Sequence, residues 1–148
     1  MDIKAIVSKI LEIIEYVQNK GSNFDTMPPE DIVRAFVMLA AYKATLGQEL
    51  AKIQFEQNIL EAKKKHLWTV SFIEFKQDKK TTDIAARTQA DLEVQELEQE
   101  IVDLRYPLEV VKNLRVDTDA VISTLQSALN QRKQEAREAT MQNYRPSN

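Results

Sequence analysis

Between Val94 and Ala136 the seam positions return at alternating steps of three and four without a slip: Val94, Leu97, Ile101, Leu104, Leu108, Val111, Arg115, Thr118, Ile122, Leu125, Leu129, Arg132, Ala136. A mean step of 3.5 residues lays one stripe along one side of an α-helix and suits supercoiled packing; a strand's period of two cannot produce it. A second stripe runs through Ile32, Phe36, Leu39, Lys43, Leu46, Leu50, Ile53, Gln57 and Leu60. Lys43 and Gln57 interrupt it, as coiled coils tolerate at positions that set register or oligomer state. Two such rods predict an all-α protein, an elongated helical hairpin or coiled-coil-like bundle that oligomerises. Val94, Leu97, Ile101, Leu104, Leu108, Ile122, Leu125 and Leu129 are the expected oligomerisation contacts.

Composition agrees with the pattern. Only two glycines and four prolines punctuate 148 residues, a length that suits a single domain. The absence of cysteine removes both a disulfide framework and a thiolate metal site. Within the expected domain, residues 1–20 form an amphipathic helix, 28–78 a long helix, and 83–140 a second long helix kinked near 107. Residues 141–148 form a polar, frayed tail. The first helix carries Ile3, Ile6, Val7, Ile10, Leu11, Ile13, Ile14 and Val17 at helical spacing and must bury that face. Its polar side mixes signs, which favours burial in protein over a membrane surface. Gly21 is the expected stop, and Lys20–Thr26 a linker. Thr26-Met27-Pro28-Pro29-Glu30-Asp31 combines a capping hydroxyl, first-turn prolines and first-turn acids, and so opens a helix. Pro107 costs about 3 kcal/mol in an unadapted helix interior and is where a kink or break is expected. Arg115 and Thr118 weaken the seam's middle, so a further division near Val116–Asp119 stays open.

Leu67–Phe75 is rich in aromatic and β-branched residues, and its alternation also fits a short β-hairpin. Helical continuation to about Asp78 is preferred, because no turn residue intervenes. Gln77–Asp83 is the next turn signal, with Thr81 or Thr82 as the cap of the succeeding helix.

Catalytic chemistry finds little material. Two glycines cannot build a nucleotide loop, and the single histidine, His66, excludes a His-pair metal site. On a lysine-flanked helix it reads as a solvated surface residue. Glu93, Glu96, Glu98, Glu100 and Asp103 spread around a helix, more a charged surface than a metal centre. The expectation is no enzyme, no cofactor and no metal. No apolar run is long enough to span a bilayer and none resembles a signal peptide, so a cytoplasmic protein is expected, without membrane partners.

Charge is distributed unevenly about a net of −3. Lys63–Arg87 holds seven basic and three acidic residues, whereas Asp91–Glu109 holds seven acids and one arginine. Such neighbours can pair within one chain, pair between subunits, or remain solvated faces. In the basic stretch, Lys63, Lys64, Lys65, Lys76, Lys79, Lys80 and Arg87 can neutralise phosphates. Trp68, Phe72 and Phe75 can stack unpaired bases, each exposed ring being worth roughly 1–3 kcal/mol. Taken from composition alone, the aromatics belong to the core and the lysines solvate a helix end.

The run Glu61-Ala62-Lys63-Lys64-Lys65, the aromatic-ended helix after it, and Ala90-Asp91-Leu92-Glu93-Val94 opening a long apolar repeat resemble the UvsY-like recombination mediators of tailed phages. The likeness covers about residues 45–140. It implies a non-enzymatic, ring-like homo-oligomer that binds single-stranded DNA and helps a RecA-type recombinase displace single-strand-binding protein, in the host cytoplasm if phage-encoded. By position it implies Lys63, Lys64 and Lys65 as DNA contacts, with Phe75 at the site of a family aromatic. The expected DNA-binding set is then Lys63, Lys64, Lys65, Trp68, Phe75, Lys76, Lys79 and Lys80. The alternatives are a coiled-coil scaffold, virion component or partner inhibitor that binds no nucleic acid, and a duplex-DNA binder.

Overall fold

In the computed structural model, residues 3–20 and 27–144 are described. Among them are four helices and no strand: α1 (Ile3–Asn19), α2 (Pro29–Lys76), α3 (Asp83–Glu93) and α4 (Gln95–Asn143). The all-α expectation is met, and Leu67–Phe75 is helix rather than hairpin. None of these helices is long and apolar enough to cross a membrane. Gly21, Thr26 and most of the Lys20–Thr26 linker lie outside the described residues. Two compact units divide the chain. One comprises Met1–Gln48 with Asn113–Asn148, the other Glu49–Lys112.

The first unit is held by large side chains. Ile6, Ile10, Ile14 and Val17 from α1 are buried, as are Ile32, Ala35, Leu39 and Leu46 from α2 and Leu114, Leu125 and Ala128 from α4. Each fully buried Ile or Leu contributes on the order of 1.5–3 kcal/mol, an upper bound given a partly compact unfolded chain. Pro29 begins α2 with Glu30 and Asp31 in its first turn, where the helix dipole favours acids. Lys43 pairs with Asp119, and the Arg132 guanidinium donates to the Met27 carbonyl at 3.1 Å. Lys43 thus meets Asp119 while Met27, just before α2, meets the later Arg132, so the two segments run antiparallel. Thr118 is fully buried, yet its hydroxyl donates to the Leu114 carbonyl at 2.6 Å and costs no orphaned polar atom.

The second unit buries Leu50, Leu60 and Ser71 from α2, Ala86 and Ala90 from α3, Val94, and Ile101, Leu108 and Val111 from α4. The turn after α2 is built locally. The Thr81 N–H reaches the Asp78 carbonyl, and the Lys80 N–H reaches the Asp78 side chain, both at 3.0 Å. Thr82 caps α3, its hydroxyl accepting from the Ala85 N–H at 3.2 Å.

The single helix expected over 83–140 is divided, and the division falls at Val94 rather than Pro107. Val94 has φ −97° and ψ 1°, and its N–H turns to the Leu92 carbonyl. It nevertheless stays buried, and its carbonyl accepts from Glu98 to open α4. The turn diverts one helical hydrogen bond while the Val94 side chain stays covered. Helix α4 passes through Pro107 and runs on to Asn143, so Met141–Asn143 are helical, while residues 145–148 of the expected tail lie outside the described residues.

Candidate nucleic-acid interface

Consecutive helical residues are turned by about 100° from one another, so three successive lysines cannot form one patch. Lys64 lies partly covered and pairs with Glu98 at 3.3 Å, while Lys63 and Lys65 are exposed. Glu61, Lys64, Lys65 and Trp68 line a shallow recess of about 200 Å³. Trp68 is half-buried; its indole N–H donates to Asp91 at 2.7 Å, and its ring stacks on Phe72 with centroids 5.3 Å apart and planes 3° from parallel. Phe75 is half-buried as well. Lys76 pairs with Asp83 at 2.6 Å and donates to the Thr81 carbonyl at 3.3 Å. The hydrogen bond from Lys76, and the ammonium charge behind it, hold the Asp83 carboxyl below its ordinary value, with a smaller contribution from Arg87.

Lys79 and Lys80 sit exposed in the turn, and Arg87 is exposed on α3. Lys63, Lys65, Lys79 and Lys80 are solvent-facing and have no ion pair among the described residues. The expected DNA-binding set thus divides into four free lysines, two lysines held by acids, and two half-covered rings. Lys65 and Lys76 are separated by about 16 Å of helix, so the two lysine groups occupy different stretches of α2.

The acidic flank supplies two of the partners, Asp91 and Glu98, and Asp83 lies within the basic stretch itself. Each of the pairs Lys76–Asp83 and Trp68–Asp91 is equidistant from the centre of the Gln77–Thr82 turn, as an antiparallel hairpin requires. Asp91 and Glu98 are therefore functional neighbours that a reading of the basic stretch by itself misses. Folding the sequence about its turn signal would have found Asp91. Glu93, Glu96 and Glu100 remain exposed.

Of the expected oligomerisation residues, Val94, Ile101, Leu108 and Leu125 are covered within the chain itself, and Leu97, Leu104, Ile122 and Leu129 are half-covered. Large apolar groups are exposed elsewhere in the second unit. Phe55, Ile59 and Ile73 lie on α2, and Val102 and Tyr106 on α4. In the first unit, Glu12, Ile13, Tyr16, Asp31, Arg34, Ala35 and Met38 line a groove of about 290 Å³. Among the described residues no three carboxylate or imidazole groups gather as metal ligands would. Compared with protein-family models, curated proteins and solved structures, the chain matches none.

Proposed function

We propose that this chain is a non-catalytic, single-stranded-DNA-binding recombination mediator. In this reading it helps load a RecA-type recombinase onto DNA covered by single-strand-binding protein, and it works as a homo-oligomer. One observation carries the reading: Lys63, Lys65, Lys79 and Lys80 are exposed and unpaired, although they lie beside an acidic flank. Glu98, Asp83 and Asp91 are engaged by Lys64, Lys76 and Trp68, and no ion pair among the described residues takes up the other four ammonium groups, which leaves them for phosphates. The EAKKK run and the Ala90–Val94 motif, which resemble the phage mediators, point the same way. Four lysines give weak binding by one chain. Several linked copies raise the effective concentration of each further contact and make the binding usable.

Fluorescence anisotropy of a labelled single strand over a salt series tests this. Replacing Lys63, Lys65, Lys79 and Lys80 by Ala is expected to flatten the slope of log affinity against log salt by up to about 2.8, at roughly 0.7 for each phosphate no longer neutralised. An unchanged slope and affinity would remove the assignment. Efficient competition by duplex would instead identify a double-stranded-DNA binder.

A second reading, a coiled-coil interaction protein without nucleic-acid binding, draws on a different observation. Phe55 is 67% exposed and Ile73 is 53% exposed. They stand five helical turns apart on one face of α2, with Ile59 between them. Such a stripe on a long helix suits a protein partner. Oligomers seen by light scattering, in a preparation that does not shift DNA, would favour it.

A further inference from the structure

Lys64, Trp68 and Lys76 share a property that distinguishes them from the four free lysines. Each directs its polar group at a carboxylate further along the chain: Glu98 at 3.3 Å, Asp91 at 2.7 Å and Asp83 at 2.6 Å. All six residues belong to the second unit. The three acids are exposed, and the three groups that they hold lie along α2 on steps of four and eight residues. Beneath the polar contacts, α3 is seated by Ala86 and Ala90, both fully buried. The carboxylates can therefore release their partners by side-chain rotation while the helix stays in place. An exposed ion pair contributes little and is screened by salt, so a polyanion can displace it.

We infer that Asp83, Asp91 and Glu98 act as internal stand-ins for phosphate, masking Lys64, Trp68 and Lys76 until single-stranded DNA competes for them. This rests on the DNA-binding reading above and adds a built-in brake to it. Lys63, Lys65, Lys79 and Lys80 make first contact, and the masked groups join only when the strand supplies phosphates in place of the carboxylates. The arrangement disfavours short or sparse anions, which cannot replace several carboxylates at once, and favours a long strand.

The test uses the full chain and a labelled oligodeoxythymidylate too short to displace several carboxylates at once, over a salt series. Asp83→Asn with Glu98→Gln frees two lysines, and the log–log salt slope is expected to steepen by about 1.4. Glu93→Gln with Glu100→Gln removes the same charge from exposed acids that hold no lysine, and is expected to leave the slope unchanged. Adding Lys64→Gln and Lys76→Gln should erase the gain in the Asp83→Asn, Glu98→Gln background and alter the otherwise wild-type chain little. Asp91→Asn keeps an oxygen acceptor for the indole and removes the repelling charge. Oligonucleotide is expected to quench Trp68, the only tryptophan, more strongly in that variant. Equal effects from the two acid pairs would overturn the inference, because general electrostatics would then suffice. Wild-type binding that depends on the four free lysines, with no change in the Asp83→Asn, Glu98→Gln variant, would overturn it and leave the mediator reading standing. Absence of binding by every variant would overturn both.

Discussion

The first unit and the α2–α3 junction of the second bury different kinds of side chain. Ile6, Ile10, Ile32, Leu39, Leu46 and Leu125 are fully buried in the first, where α1, α2 and α4 each contribute an apolar stripe. Where α2 and α3 adjoin in the second, the buried groups are Ser71, Ala86 and Ala90. An alanine methyl covers about one carbon, on the order of 0.8 kcal/mol, well below what a buried isoleucine contributes. The α3 segment compensates with Lys76–Asp83, Trp68–Asp91 and the Thr82 cap, and Lys64–Glu98 adds a tie just beyond it. Exposed contacts of this kind contribute little and are screened by salt. The difference teaches where each job sits: large buried side chains, among them Leu60, Ile101 and Val111 of the second unit, carry stability, and the α2–α3 junction keeps its charged groups reversible. Regions of few apolar contacts open locally at lower free energy than a core does, and binding surfaces are drawn from them.

The largest expected effect lies in the first unit. Leu39→Ala should lower the unfolding free energy by about 2–5 kcal/mol, measured by denaturant unfolding, because a fully buried leucine leaves a cavity that relaxes only in part. Ala90→Leu should cost about 1–3 kcal/mol by overpacking the site where α3 is seated. Hydrogen exchange should then speed up across residues 83–93 while α1 keeps its protection. If Leu39→Ala proves the milder of the two, or if Ala90→Leu exposes α1 as well, the contrast between the units fails.

Much of the fold was legible because the sequence writes it at helical period. The buried Ile6, Ile10, Ile14 and Val17 are the heart of the stripe read from the first helix, and Ile32, Leu39, Leu46, Leu50 and Leu60 are heptad positions. The seam slips at Arg115: Leu114 is buried where strict alternation names Arg115, which is exposed. Strict counting favours the regular step, whereas burial selects the apolar neighbour one residue away. The break at Val94 was illegible, since neither glycine nor proline marks it. Pro107, which carries the stronger local signal, sits inside α4. At the candidate interface, residue type located the lysines but not their state. Lys63 and Lys65 are free and Lys64 is held, a distinction set by about 100° of helical rotation and by which acid the hairpin brings opposite. That outcome depends on the position of the turn and cannot be read from the lysine triplet itself.

The smallest effect sharpens the comparison through pH. Lys76 holds the Asp83 carboxyl below its ordinary value, first by hydrogen bond and then by charge. A carboxyl whose folded value is depressed binds its proton more readily when unfolded. The contact therefore stabilises the fold at pH values above the ordinary aspartate range, and that contribution is lost as pH falls through the depressed folded value. The carboxyl carbon shift of Asp83, followed by NMR, should show a midpoint below that of an unpaired aspartate. Lys76→Gln should move the midpoint upward while leaving the smaller pull of Arg87, and added salt should move it the same way. A midpoint indifferent to Lys76→Gln would mean that the lysine is not held there in solution. Lys76 would then join Lys63, Lys65, Lys79 and Lys80 among the free cations, and the second unit would have one fewer reversible contact than the comparison assigns to it.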